Sequence, residues 1–235
     1  MKVIDGHAFL GKTVYMDQSP ERLVSDMDRL GVDASVVVAP PPGPFYHEAN
    51  RFVASAAQSY PGRLAALYRS NPLLKGEAEK VRDALTDRGF VGVQLDPTND
   101  GYGISGSAAN QVISLAGEHG VPVYIQSGDS IFCPPEYVAY LASNFENVNF
   151  VTRMSSRAPR AAQACSNLYL MTHPFPTLAF QMGHSEGFDL NRLIFASESP
   201  VGTLDVEMKA VELAGMDQIT KEKLLGGNLQ KILEL

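Results

Sequence analysis

The sequence lacks several features that mark common functional classes. Its two cysteines, Cys133 and Cys165, are too few and too far apart to suggest a disulfide scaffold or a cysteine-based zinc site, which favours a reducing, cytoplasmic location. No run of lysine and arginine occurs, and the net charge is -7 over 235 residues. The basic surface of a nucleic-acid-binding protein is therefore missing, and we predict no nucleic acid partner.

Long apolar stretches are missing as well. The N-terminal segment reaches the charged Asp5 almost at once, which leaves no room for the apolar core of a signal peptide. No segment approaches the roughly 20 apolar residues that a membrane-spanning helix needs. These absences predict a soluble, cytoplasmic protein that has no membrane partner.

What the sequence does contain is a regular alternation of short apolar runs with helix-like segments. The runs are residues 3–5, 34–39, 64–68, 91–95, 121–125, 148–152, 168–170 and 193–195. Such alternation is typical of βα units around a parallel sheet, and runs of consecutive apolar residues are typical of strands buried on both faces. The hydrophobic content of 45% is sufficient for one sizeable core. We predict an α/β fold, a (β/α)8 TIM barrel of parallel strands, as a single domain over residues 1–235.

The helix signals support this alternation. Residues 20–30 are predicted as a helix with Ser19 as its N-cap, Pro20 at the first helical position and Gly31 as its C-cap. Apolar spacing predicts further helices at residues 47–59, 76–88, 107–118, 135–144, 205–213 and 220–233. The segment 96–106, which contains three glycines, is predicted as a loop at the mouth of the barrel.

Four strand ends carry polar residues in a recognisable pattern. They are residues 4–9, which contain Asp5-Gly6-His7-Ala8-Phe9, and residues 123–128, 150–154 and 194–200. They resemble the four ligand-bearing segments of the metal-dependent amidohydrolase family, in its branch of small TIM-barrel hydrolases and decarboxylases. In that family the first segment runs Asp-x-His-x-His, the second and third each end in a metal-binding His, and the last carries an Asp before a Ser or Tyr and a Pro.

The resemblance extends beyond these four segments. Residues 60–64 with 71–72, 88–93, 116–123 and 225–228 also look like segments of that branch, in the expected order, so the likeness covers nearly the whole chain. Most of the family's metal ligands are replaced, however. Phe9 stands at the place of the second His, Gln126 at the third, Arg153 or Met154 at the fourth, and Glu198 at the place of the Asp.

The resemblance implies an active site at the carboxyl ends of the strands, where the βα loops of a barrel converge. In the family a divalent ion, often zinc, is held there by imidazoles and a carboxylate, and it activates a bound water. Here only His7 and Glu198 are good donors, fewer than the three protein ligands usual in catalytic zinc sites, and an inward Arg153 would repel a cation. We predict no cofactor, with one divalent metal such as zinc as the alternative.

Candidate site residues follow from the same strand ends. His7 and Glu198 are predicted as catalytic acid/base groups, since an imidazole exchanges protons near neutral pH and a carboxylate paired with it would orient the ring. The predicted substrate-binding residues are Phe9, Gln94, Asp96, Gln126, Arg153 and His173. Structural roles stay open for several of them: His7 and Glu198 in buried hydrogen-bond networks, Arg153 in an outward ion pair, and Asp96 in a turn before Pro97.

Three functional hypotheses remain. The first is an amidohydrolase-family hydrolase or lyase that acts without the usual metal on a small organic acid, lactone, amide or cyclic compound. The second is a catalytically silent barrel that binds a ligand or supports a partner. The third is a metallohydrolase with unusual ligands, namely His7, Asp96, His173 and Glu198. The resemblance also implies a small-molecule substrate and a possible homo-oligomer.

Overall fold

The computed structural model describes residues 2–41, 46–87, 89–128, 130–173, 181, 184, 187–233 and 235, with Tyr46 and His47 as backbone only. Eight parallel strands form a single sheet in which sequential strands are neighbours. They are β1 Ile4–Phe9, β4 Ala34–Val38, β5 Leu64–Ser70, β6 Gly92–Leu95, β7 Val123–Ile125, β8 Phe150–Arg153, β9 Leu168–Met171 and β10 Leu193–Ile194. The strands β2 Gly11–Lys12 and β3 Asp17–Gln18 form a small antiparallel hairpin at the end of β1.

The first and last strands of this sheet are joined by backbone hydrogen bonds. Gly6 N donates to Phe195 O at 2.8 Å, and Glu198 N donates to His7 O at 2.8 Å. The sheet is therefore curled into a nearly closed barrel with helices between its strands, and the predicted (β/α)8 TIM barrel is confirmed.

The helices of the described ranges lie between the strands in the sequence or, for the last two, after β10. They are α1 Pro20–Leu30, α2 Tyr46–Ser59, α3 Glu77–Asp87, α4 Pro97–Asp100, α5 Ser107–Glu118, α6 Pro135–Asn144, α7 Ala158–Ala162, α8 Leu204–Leu213 and α9 Gln218–Glu222. The predicted ends of α1 are confirmed. The Ser19 side chain accepts a hydrogen bond from Arg22 N, and Gly31 adopts φ 69°, the left-handed conformation of a C-cap. No helix of the described ranges is both long and apolar enough to traverse a lipid bilayer.

Three predictions at the element level need correction. The first strand extends four residues past Asp5, because Asp5 and His7 are buried in the barrel with polar partners. The predicted loop 96–106 contains the short helix α4, which Asp96 caps. The predicted helix 220–233 is broken at Gly226, where a Cβ would lie 2.2 Å from the Lys2 carbonyl oxygen. This close approach packs the C-terminal segment against the start of the chain.

Two apolar layers stabilise the barrel. One lies between strands and helices and contains residues such as Leu23, Val53 and Phe195. The other fills the barrel interior and contains side chains such as Val36 and Tyr124. Because side chains alternate along a strand, the interior residues are followed, two positions on, by the side chains that surround the mouth. The polar strand ends predicted from the sequence are therefore brought to one end of the barrel.

Candidate active site

A cavity of about 280 Å³ opens at the carboxyl ends of the strands. Five of the predicted site residues line it, namely Phe9, Asp96, Gln126, Arg153 and Glu198. The other three contact these residues or their neighbours: His7 contacts Gln126, Gln94 contacts His7, and His173 lies beside Glu198. The structure therefore brings the predicted set to one place, although the roles proposed for its members stay predictions.

The wall of the cavity contains an ion pair between Arg153 and Glu198. Arg153 Nε lies 3.0 Å from Glu198 Oε1, and the two side chains are 32% and 2% exposed. Neither atom has an aligned hydrogen bond within the described part of the chain. The sequence left open whether Arg153 or Met154 faces inward at the end of β8. Arg153 faces the barrel interior, whereas Met154 packs in the outer apolar layer.

Glu198 is held in a strained backbone conformation. Its φ is 48°, the one positive φ at a non-glycine residue in the described ranges. Such a conformation is uncommon and persists where the surrounding structure enforces it, often at functional sites. Hydrogen bonds enforce it here, because Glu198 N donates to His7 O and Glu198 O accepts from Val201 N at 2.9 Å. The tight turn after β10 therefore directs the carboxylate into the cavity wall.

His7 is fully buried and is oriented by amides. Its Nε2 lies 2.6 Å from Gln94 Oε1, an oxygen that accepts a hydrogen bond from the ring in the tautomer protonated at Nε2. Gln126 Nε2 lies 3.2 Å from the same nitrogen, and the edge of Phe9 packs on the ring at a centroid distance of 5.0 Å. The predicted pairing of His7 with the Glu198 side chain is wrong, because Glu198 pairs with Arg153 and Gln94 orients the ring.

The protonation of His7 follows from its burial. Loss of solvation lowers the pKa of His7 below its ordinary value, and the nearby negative charge of Glu198 offsets this only in part. Nδ1 of the ring has no hydrogen-bond partner among the side chains and backbone described. His7 is therefore a neutral imidazole at neutral pH.

Asp96 and His173 both have structural partners. The carboxylate of Asp96 accepts from Asn99 N and from Asn99 Nδ2, and it lies 3.5 Å from the buried Arg69 guanidinium. Asp96 thus acts as the cap of α4, the turn-forming role that the sequence left open. His173 lies between two buried carboxylates, with Nε2 3.8 Å from Glu198 Oε2 and Nδ1 3.3 Å from Glu207 Oε1.

Asp5 is a residue of the site that the sequence analysis did not single out. Its carboxylate accepts from Ser197 Oγ at 2.6 Å, from Ser197 N at 2.8 Å and from His7 N at 3.3 Å, so it ties β1 to the turn that carries Glu198. Burial raises the pKa of Asp5 from 3.8 to about 6, although the hydrogen bonds from Ser197 oppose the shift. The sequence could have indicated Asp5, because it is the first residue of the Asp-x-His motif in the first strand.

The raised pKa of Asp5 predicts a pH dependence of stability. The folded protein binds the proton more tightly than the unfolded chain, so the contribution of Asp5 to stability falls as pH rises from about 4 through about 6, by about 3 kcal/mol. Asparagine does not titrate, so Asp5→Asn should not lose stability in this way. In urea titrations, the free energy of unfolding of the variant minus that of the wild type is expected to increase as pH rises over this interval. A difference that does not vary with pH would contradict the raised pKa.

The fold recurs in solved structures of other proteins. A 5-carboxyvanillate decarboxylase from Novosphingobium aromaticivorans, complexed with manganese and 4-hydroxy-3-methoxy-5-nitrobenzoic acid, superposes with a TM-score of 0.81 at 14% identity, over 100% of this chain and 96% of that one. A dihydroxybenzoic acid decarboxylase from a Polaromonas species, with bound manganese and 2-nitroresorcinol, gives 0.79 at 14% identity over 100% and 97%.

A probable 2-pyrone-4,6-dicarboxylic acid hydrolase from Acinetobacter baumannii, with citric acid bound, gives a TM-score of 0.75 at 17% identity over 100% of both chains. At these identities the likeness establishes the fold alone. A comparison of the sequence with curated proteins finds no match.

The prediction that the chain uses no cofactor is contradicted by these comparisons, since two of the three neighbours described contain manganese. The donors of this chain, as they are arranged, do not fit such an ion. Within the described ranges, no three His, Cys, Asp or Glu side chains are grouped so that they could hold a metal. The alternative ligand set of His7, Asp96, His173 and Glu198 is therefore not arranged as a metal site, because Asp96 is bonded to Asn99 and Glu198 faces Arg153.

Sequence comparison with protein families gives a match over almost the whole chain. The amidohydrolase family matches residues 11–235, which include every barrel strand except β1. The first strand, which the match omits, carries the Asp-x-His pattern that suggested the same family. The protein belongs to the amidohydrolase family.

Proposed function

We propose that the protein is an enzyme, a lyase or hydrolase, that acts on a small carboxylic acid containing one ring. The observation that carries this proposal is the Arg153–Glu198 pair on the wall of the cavity. Similar barrels act on acids of this class, according to the names of the 5-carboxyvanillate and dihydroxybenzoic acid decarboxylases and the pyrone dicarboxylic acid hydrolase. We also propose that residues 1–235 work as one domain.

Arg153 is suited to bind the substrate carboxylate. It is the cation among the described residues that line the cavity, and its side chain is one-third exposed. The contact of Arg153 with Glu198 is made through Nε, and the two terminal nitrogens are the groups proposed to bind the substrate carboxylate. A planar guanidinium can donate two parallel hydrogen bonds to a carboxylate, which gives both affinity and a fixed orientation.

The remaining lining is suited to a single ring. Phe9 and Met16 provide an apolar surface, and Asn99, Ser127 and Ser130 provide polar groups for oxygen substituents. The volume of about 280 Å³ lies at the small end of the range for ligand pockets. Phe9 lines the cavity and does not fill it, so the mouth is open, whereas a mouth plugged by aromatic side chains would favour a catalytically silent barrel.

Glu198 is the group proposed to exchange a proton with the substrate. In a decarboxylation the carbon that loses CO2 must gain a proton, and in a hydrolysis the leaving group must gain one. As the carboxylate beside Arg153, Glu198 would first take a proton, from the attacking water in a hydrolysis or from solvent in a decarboxylation, and then deliver it. His7 is proposed to support this site from below, since it contacts Gln126 and its main chain holds that of Glu198.

The test is a turnover assay on the purified full-length protein. A panel of carboxylated phenols and pyrone dicarboxylic acids is followed by ultraviolet absorbance, with and without added manganese, and the metal content of the protein is measured. We expect turnover of at least one ring acid. Binding without turnover would favour the silent barrel, and neither binding nor turnover under any of these conditions would refute the proposal.

Arg153→Met is expected to weaken the binding of a ring carboxylate by about 10- to 100-fold, since a hydrogen bond to a charged group contributes about 1.5–3 kcal/mol. The dissociation constant is measured by calorimetry with the tightest acid of the panel. Arg153→Lys keeps the charge but loses the planar fork. Its dissociation constant should fall between those of the wild type and Arg153→Met. The matched control is Arg157→Met, because Arg157 forms an exposed 3.0 Å ion pair with Glu136. Equal losses in Arg153→Met and the control would contradict the assignment.

A further inference from the structure

A row of ionisable side chains leads from the cavity wall to helix α8. Arg153 pairs with Glu198, the other oxygen of Glu198 lies 3.8 Å from His173 Nε2, and His173 Nδ1 lies 3.3 Å from Glu207 Oε1. The side chains of His173 and Glu207 are only 6% and 5% exposed. Glu207 therefore lies two contacts away from the carboxylate that lines the cavity.

Burial of Glu207 is unusual for its position in the helix. It lies in the first turn of α8, where an acidic side chain stabilises the helix dipole from an exposed position. Asp205, in the same turn, does this while it is exposed and paired with Arg29. A buried carboxylate is costly unless it has a polar partner, and the partner that the structure gives Glu207 is the ring of His173.

The ring of His173 is also confined by the backbone beside it. A Cβ atom on Gly202 would lie 2.7 Å from Cε1 and 2.9 Å from Nδ1 of this ring, so the absence of a side chain at Gly202 lets the two segments approach. The contacts of the ring nitrogens with Glu198 and Glu207 are at ion-pair distance, without an aligned hydrogen bond at Nδ1. Packing against Gly202 and the two flanking carboxylates therefore confine the ring.

We propose that Glu207 is a positioning residue that holds the His173 ring through Nδ1, and that the ring in turn holds Glu198. This inference rests on the proposed role of Glu198 as the proton-exchanging group. A carboxylate oxygen can only accept, so this role of Glu207 requires a proton on Nδ1 of His173. With the ring fixed in this way, Nε2 faces Glu198 and limits its rotation.

Nitrogen-15 NMR of the histidine rings in the full-length protein tests the positioning without a substrate. The His173 signals are identified by their loss in His173→Asn. We expect Glu207→Gln to shift the Nδ1 resonance of His173 at constant pH, Glu207→Asp to shift it less, and Glu212→Gln to leave it unchanged. Glu212 is the matched control, because it is exposed on the same helix and pairs with Lys209. An unchanged His173 signal in Glu207→Gln would overturn the proposal.

The kinetic arm separates positioning from a purely structural role. Glu207→Gln is expected to lower kcat by about 10- to 100-fold with little change in KM, because the substrate carboxylate is bound by Arg153 and only Glu198 loses its support. Glu207→Asp should recover part of the loss. Equal losses of kcat and thermal stability in both variants would overturn the role in catalysis. If no ring acid is turned over, the proposed function fails, and the NMR result still decides whether Glu207 positions His173.

Discussion

Glu198→Gln is expected to lower kcat for the ring acid by about 10²- to 10⁴-fold, the usual contribution of a positioned acid or base. Glutamine has nearly the same shape as glutamate, so it fills the same place in the wall but cannot exchange a proton. Substrate binding should persist, because Arg153 keeps its charge and no longer shares it with a neighbouring carboxylate. A large fall in kcat with an unchanged or lower KM is therefore the expected pattern.

The control for this prediction is Glu136→Gln. Glu136 also pairs with an arginine, Arg157, at 3.0 Å, but both side chains of this pair are about half exposed on the surface. Such a pair contributes little to stability, so the variant should keep the activity of the wild type. Circular dichroism confirms that both variants are folded. A folded Glu198→Gln protein that retains the kcat of the wild type would remove Glu198 from the chemistry.

The barrel could be predicted from the sequence because its strands are buried on both faces. Consecutive apolar residues at each strand and helix caps such as Ser19 and Gly31 are local signals, and local signals determine element type. The end of β1 was missed for the same reason. Asp5 and His7 are polar in sequence, and only their partners Ser197 and Gln94, far along the chain, explain why they lie inside a strand.

The candidate site was predictable as a set of residues but not as a network. Alternation placed the strand-end side chains at the mouth, yet it could not decide between Arg153 and Met154, which the pairing of β8 with β9 resolves. Glu207 was missed because it lies on a helix, and no local pattern distinguishes it from an exposed first-turn acid. The prediction of no cofactor relied on the number of metal-binding histidines that this chain lacks. That number says nothing about the manganese found in structurally similar barrels.

Gly202→Ala is expected to cause the largest loss of stability among the substitutions considered. A Cβ at this position would lie 2.2 Å from the Ser197 carbonyl oxygen and less than 3 Å from the His173 ring. Backbone at that distance must move, and overpacking of this kind costs about 3 kcal/mol. For a chain of this length the loss corresponds to a fall in Tm of about 6–12 °C.

The matched control is Gly103→Ala, because nothing lies within 4 Å of the Cβ that it would add, and Gly103 does not have a positive φ. Its Tm should be close to that of the wild type, since it neither creates a clash nor strains the backbone. Urea titration of both variants gives the free energies of unfolding. If Gly202→Ala proves as stable as Gly103→Ala, the turn after Glu198 can relax without cost. Glu198 would then not be held in its conformation by the packing of Gly202 against Ser197 and His173.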